Sequence, residues 1–156
     1  MSAAVSAATG VRVALDVGTV RIGVAASDPH GLLATPVGAV KRGTGDLDQV
    51  AALVLEREAV EVVVGLPTTL AGRAGPSVTM ATDFAAELAA RIEPVPVRFV
   101  DERLTSVIAE RTLRATGPRR SAKAGARDRA SGRVDAMAAA GILQTYLDAW
   151  PRKEDS

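Results

Sequence analysis

Three acids separated by most of the chain, Asp16, Glu102 and Asp135, are the residues whose types and placement could do chemistry. Asp16 stands next to the end of the apolar run Val11 to Val17, which reads as a strand buried on both faces. A carboxylate there costs on the order of several kcal/mol of desolvation unless a bound cation or a backbone N–H cap compensates it. Glu102 stands at the end of the strand that begins at Val97, in Asp101-Glu102-Arg103, and Asp135 opens the run that reads as the last helix. Brought together, the three carboxylates would repel and raise one another's pKa unless a divalent cation sat among them. Two magnesium ions held in this way stabilise both the attacking and the leaving oxygen in phosphodiester cleavage. No side-chain nucleophile is then needed, which suits a chain with no cysteine and a single histidine, His30, in a Pro-His-Gly turn.

Each polar residue also has a plainer reading. Asp135 in a first helical turn suits the helix dipole, Glu102 could pair with Arg103 or a basic helix, and Asp101 reads as a cap for the helix that follows. Thr105 and Ser106 are most simply helix caps. Asp16-Val-Gly-Thr19 suggests backbone amides and a hydroxyl lying open at a turn, which suit a phosphate. Thr19 and Arg21 are candidates for that contact, with a solvated strand position as the alternative for Arg21.

Composition narrows the chemistry. The 156 residues suffice for one domain with a real core. Hydrophobic residues at 47% and charged residues at 24% are ordinary for a globular chain, and no apolar run is long enough to span a bilayer. The absence of cysteine excludes disulfides and thiolate sites, and one histidine disfavours zinc. A metal would be held by carboxylate oxygens, which favours magnesium or manganese. The net charge of +1 hides an uneven distribution: Arg111 to Arg133 carries eight Lys/Arg against one acid, Asp128. That patch, with Arg119, Arg120, Lys123, Arg127 and Arg129 at its centre, is of the kind that meets phosphates, although many basic loops are only solvated. With aromatics at 3% there is no stacking platform for single-stranded bases. Binding would rest on backbone phosphates and be salt-sensitive and weakly sequence-specific.

The elements that must position these groups follow in order. Residues 1–10 read as a loose arm without the basic region of a signal peptide. Val11 to Val17 and Arg21 to Ala26 form a hairpin, and Leu33 to Val40 is a third strand in which Pro36 argues for an edge or irregular position. A helix capped by Asp46 runs to about Ala59. Glu61 to Leu66 is a buried fourth strand, and a Gly/Pro/Thr loop from Pro67 to Pro76 follows. A helix capped by Ser77 carries the stripe Met80, Phe84, Leu88 and Ile92. Val97 to Val100 is the fifth strand, Thr105 to Ala115 a helix, 116–132 a mobile basic loop, Val134 to Trp150 the last helix and 151–156 a polar tail. The first three strands are joined too tightly for crossovers and must pair antiparallel. Strands four and five follow helices and should run parallel to the first. The result is a mixed five-stranded sheet with helices on both faces, whose functional groups collect at the carboxyl ends of the parallel strands.

Four segments are similar to the motifs of the YqgF/RuvX family, within the ribonuclease-H-like superfamily and related to the RuvC Holliday junction resolvases. They are Asp16-Val-Gly-Thr-Val-Arg-Ile-Gly-Val-Ala, Val63-Val-Gly-Leu-Pro67, Val100-Asp-Glu-Arg-Leu-Thr-Ser106 and Val134-Asp-Ala-Met-Ala-Ala-Ala-Gly-Ile-Leu-Gln144. The resemblance runs from about Val11 to about Trp150. It implies a ribonuclease-H-like fold and a cytoplasmic, magnesium- or manganese-dependent nuclease. The implied substrate is the 5′ end of the 16S ribosomal RNA precursor, or, on an older assignment, a Holliday junction. It assigns the acids to Asp16, Glu102 and Asp135 and their polar companions to Thr19, Arg21, Arg103, Thr105 and Ser106. Two departures stand out: Thr68-Thr-Leu-Ala-Gly72 replaces an Asn-x-Asp-Gly-like loop, and Ala136 replaces a common Ser.

Four functions are thus in view. A metal-dependent endonuclease on structured RNA leads. Symmetric cutting of branched DNA would require a homodimer rather than a monomer. An actin- or sugar-kinase-like ATP domain also opens with Asp-x-Gly-Thr, but nothing in 156 residues supplies its second lobe and second phosphate loop. A binding module without catalysis is disfavoured, because unpaired carboxylates facing phosphates weaken binding.

Overall fold

The computed structural model describes residues 9–66, 75–101 and 124–149. Its strands are β1 (Arg12–Val17), β2 (Arg21–Ser27), β3 (Ala34–Lys41), β4 (Glu61–Leu66) and β5 (Val97–Asp101). Its helices are α1 (Asp46–Glu56), α2 (Pro76–Ile92) and α3 (Ala124–Ala149). The strands form one sheet in the order β3-β2-β1-β4-β5. The pairs β1–β2 and β2–β3 are antiparallel, whereas β1–β4 and β4–β5 are parallel. Short connections forced the first two pairings, and the α1 and α2 crossovers permitted the others, so the expected mixed sheet is the observed one.

The two-residue alternation of the strands sorts the sheet into unlike faces. Val13, Leu15, Ile22, Val24, Val62 and Val64 pack with Val50 and Val54 of α1 and Phe84, Leu88 and Ile92 of α2. The opposite face is built from smaller residues, Ala14, Ala25 and Val63, under Ala139, Ile142, Leu143 and Leu147 of α3. Small side chains let α3 lie close to the sheet, chiefly over β2 and β3. Arg12 and Asp16 alternate with the large apolar residues of β1 and therefore belong to the α3 face.

Several local expectations need correction. α1 starts after Gly45, whose φ of 90° favours glycine, and Asp46 is its first residue rather than its cap. The Asp46 carboxylate instead accepts from the Gly43 N–H (3.1 Å) and from Arg42 Nε (2.8 Å). α2 starts from Gly75 with Pro76 in its first turn, not from a Ser77 cap, because a proline there lacks only an N–H that has no helical partner anyway. α3 begins at Ala124, ten residues before the expected start at Val134, so residues 124–132 are helix and not loop. Ala124-Gly-Ala-Arg-Asp-Arg-Ala130 lacks an apolar stripe but is rich in strong helix formers, and propensity carried the helix where periodicity was silent. The expected helix from Thr105 to Ala115 and the basic residues 116–123 lie outside the described residues.

Candidate active site

The tight turn between β1 and β2 sets the first half of the site. The Gly18 N–H donates to the Arg21 carbonyl at 3.0 Å, closing a loop whose tip is Thr19 and Val20, both exposed. A Cβ on Gly18 would stand 2.8 Å from that carbonyl, so only glycine fits. The Gly18 amide is consumed within the turn and is not open to a phosphate, contrary to the expectation from Asp-x-Gly-Thr. Arg42 anchors the turn from β3's side. Its N–H donates to the Val20 carbonyl at 2.9 Å, its Nη1 to the Gly18 carbonyl at 3.0 Å, and its guanidinium lies 5.4 Å from the centre of the Phe84 ring. Nothing in the apolar periodicity signals Arg42; it was missed because it sits in a Lys-Arg-Gly-Thr-Gly stretch that reads as ordinary loop.

The second half of the site comes from α3. Asp16 pairs across the hairpin with Gly23. Gly23 in turn lies against the α3 backbone: a Cβ there would come far inside contact distance of the Asp135 carbonyl and 3.2 Å from the Ala136 nitrogen. The glycine opposite Asp16 is therefore the seat of the Asp135 peptide, which places the Asp135 backbone one strand away from Asp16. Asp135 sits near the middle of α3, so the helix-dipole explanation for an acid at that position falls. Its Oδ2 accepts from Arg21 Nε at 2.8 Å, with both side chains partly exposed. Arg21 is thus an ion-pair partner that orients Asp135 rather than a merely solvated strand residue. Asp16 is half-buried, and among the described residues no N–H or O–H donates to its carboxylate. The backbone cap that would have explained it as purely structural is missing there.

A family model described as RuvX, Holliday junction resolvase, matches residues 10–149. The chain belongs to the RuvX family. It is 54% identical over 142 residues to a protein of Thermobifida fusca named as a pre-16S rRNA nuclease, covering 90% of this chain and 88% of that one. A Mycolicibacterium smegmatis protein of the same name is 52% identical over 144 residues, covering 89% of this chain and 81% of the relative. Among solved structures, Thermus thermophilus RuvC in complex with a Holliday junction substrate superposes with a TM-score of 0.53 at 15% identity, covering 90% and 94% of the two chains. That likeness shows the fold, which is ribonuclease-H-like.

In this RuvX chain, Glu102, Arg103, Thr105, Ser106, Arg119, Arg120 and Lys123 lie outside the described residues. Arg21 and Asp135 are joined by an ion pair, Asp16 pairs with the glycine beneath the Asp135 peptide, and Thr19 stands exposed at the neighbouring turn. Among the described residues no group of three His, Cys, Asp or Glu side chains is placed to hold an ion.

The α3 face carries a second polar group at the far end of the sheet, which sequence reasoning passed over. Buried Glu61 accepts from Arg12 Nε at 2.6 Å, Arg98 Nε at 2.7 Å and the Tyr146 hydroxyl at 2.8 Å. Burial first, then the neighbouring Glu61 carboxylate, pushes the Tyr146 hydroxyl up to about 12. Arg12 and Glu61 are register partners that open β1 and β4, a spacing visible only once the strands are paired.

Proposed function

We propose that this RuvX protein is a divalent-metal-dependent endonuclease that hydrolyses phosphodiester bonds of structured RNA, its substrate being the 5′ end of the 16S rRNA precursor. The nuclease reading draws support from the family and from relatives named as pre-16S rRNA nucleases over most of their length. The single observation that carries the metal is Asp16. A half-buried carboxylate that no protein donor reaches among the described residues, set across from the seat of a second aspartate, fits a cation better than any other neighbour. Asp16, Asp135 and Glu102, which directly follows the last residue of β5, are the proposed ligands of magnesium or manganese. Bound there, the ions would stabilise the attacking and leaving oxygens of an in-line displacement. The chain's own part is positional. Gly23 sets the height of α3, Arg21 fixes the Asp135 carboxylate, and Arg42 holds the turn that presents Thr19. Thr19, Arg21, Arg103, Thr105, Ser106, Arg119, Arg120 and Lys123 are proposed to hold substrate phosphates. An rRNA precursor as substrate would place the protein in the cytoplasm, and no described helix is long and apolar enough to cross a membrane.

The test is Asp16→Asn. Cleavage of precursor rRNA in manganese or magnesium should fall by more than about 100-fold. In the wild type, manganese at about 100 times its Kd should add about 2.7 kcal/mol of stability, and in the variant most of that gain should vanish. Undiminished cleavage by the variant, or an equal gain in both proteins, refutes the site. A second reading keeps the chemistry and changes the substrate to a four-way DNA junction, favoured by the description of the matching family model. It requires a dimer with two sites, so a strictly monomeric protein that cuts RNA and leaves junctions intact excludes it.

A further inference from the structure

Beside the Asp16–Asp135 pair, a groove of about 800 Å³ runs between β3 and the middle of α3. Its lining includes Arg21, Lys41 and Arg133, with Val20 and Val37 as apolar walls. Ala136, the next residue after Asp135, also lines it, as does Arg21, the ion-pair partner of Asp135, so the groove adjoins that acid. Among the described residues no acid lines it. Arg21 and Lys41 are register partners on β2 and β3. Like charges directly opposite one another are destabilising, and a fold keeps them together more easily when an anion lies across them. Arg21 already has Asp135. Lys41 and Arg133 are exposed, and among the described residues neither is engaged by an acid.

We infer that this groove is a nucleic-acid subsite: one strand of the substrate lies along it, its phosphates on Lys41 and Arg133, as it leaves the scissile position. The inference rests on the nuclease reading and deepens it by assigning the path of the strand. The shape and chemistry agree with such an occupant. Cations at the rim suit a phosphate backbone, the aliphatic walls suit sugars and base faces without sequence preference, and among the described residues the lining holds no acid to repel the strand. The basic run at 111–133 drew attention to this region of the sequence, but Lys41 comes from the other end of the chain and only the β3–α3 contact brings it beside Arg133.

The test measures binding of a fluorescein-labelled single-stranded RNA by anisotropy, in EDTA, across a salt series. Removing two phosphate contacts from a single strand should lower the slope of log K against log salt by about 1.4. Lys41→Ala/Arg133→Ala should show that loss, with a raised KM and a kcat within a few-fold of wild type. A charge-matched pair locates the effect. Val37→Glu places a negative charge in the groove, and Leu55→Glu places one on an exposed position at the end of α1. The first should weaken binding at least about tenfold more than the second, as expected for local contact rather than net charge. An unchanged slope in the double variant, or equal weakening by the two glutamates, overturns the groove while leaving the nuclease reading standing if cleavage persists. A wild-type protein that neither binds nor cuts RNA overturns both.

Discussion

Replacing Gly23 by alanine tests the physical basis of the site, because the two aspartates are related through that residue and not through any bond between them. The alanine Cβ would fall well under the 3.0 Å that real Cβ atoms keep from the Asp135 carbonyl, and it would press on the Ala136 nitrogen at 3.2 Å. The obstacle is backbone, which cannot swing aside as a side chain can. α3 must therefore lift from β2 by an amount on the scale of an ångström. Overpacking of this kind costs about 1–3 kcal/mol. For a chain of this size that corresponds to a fall in Tm of about 2–12 °C. The functional loss should be larger than the stability loss implies, since an ångström of misplacement in a reacting constellation can cost about 100-fold in rate. The assay pairs thermal unfolding with cleavage rates in manganese. Ile142→Val, which trims a buried α3 residue away from the site, serves as a stability-matched control. If Gly23→Ala melts like wild type, or loses no more activity than the control at equal Tm, then α3 is not held at its height by the glycine and the reasoning fails.

Two further outcomes concern stability away from the site. Glu61→Gln breaks the buried ion pair with Arg12 and removes the charge that two guanidiniums and the Tyr146 hydroxyl share, and should cost about 3–5 kcal/mol in urea unfolding; a change below about 1 kcal/mol would mean that the network contributes little. Asp28 accepts N–H bonds from Leu33 (2.7 Å), Leu32 (2.8 Å) and His30 (3.0 Å), and those bonds, Leu33's first, hold its carboxyl below the usual carboxylate range. A folded pKa below the unfolded one means that the stabilisation is present above the unfolded value and is lost as pH falls through the folded one. Unfolding curves from pH 6 to pH 2 should therefore converge for wild type and Asp28→Asn at the acid end, and parallel curves would contradict the assignment.

The sheet was legible because its pattern is two-state at every step. Apolar runs of five to seven residues separated by short turns leave antiparallel pairing as the only option, and intervening amphipathic helices leave parallel pairing. The acid at 16 drew notice because it interrupts an apolar run at a cost that calls for explanation, whereas Asp135 read on its own as a first-turn helix acid until the earlier start of α3 placed it mid-helix. Gly23, Arg42 and Lys41 were not, and for a common reason. The meaning of each lies in what another element brings to it: the α3 backbone over Gly23, the turn carbonyls around Arg42, the cation across from Lys41. The start of α3 was misplaced for the opposite reason. Its first residues announce helix through propensity alone, while apolar spacing speaks only where a helix has a sheet to cover.

The α3 face of the sheet holds an acid at each end of β1 and β4, and the two are treated in opposite ways. Glu61 is buried and receives three donors, two of them cationic, so the fold itself compensates its charge. Asp16 is half-buried on the same face and receives none among the described residues. A fold able to surround one carboxylate with two arginines and a tyrosine is not short of means to surround another. Arg21 at the start of β2 pairs with Asp135. On the proposed metal site, the Asp16 carboxylate, which receives no donor among the described residues, would be offset by a hydrated divalent ion shared with Asp135, with coordination positions left for a phosphate.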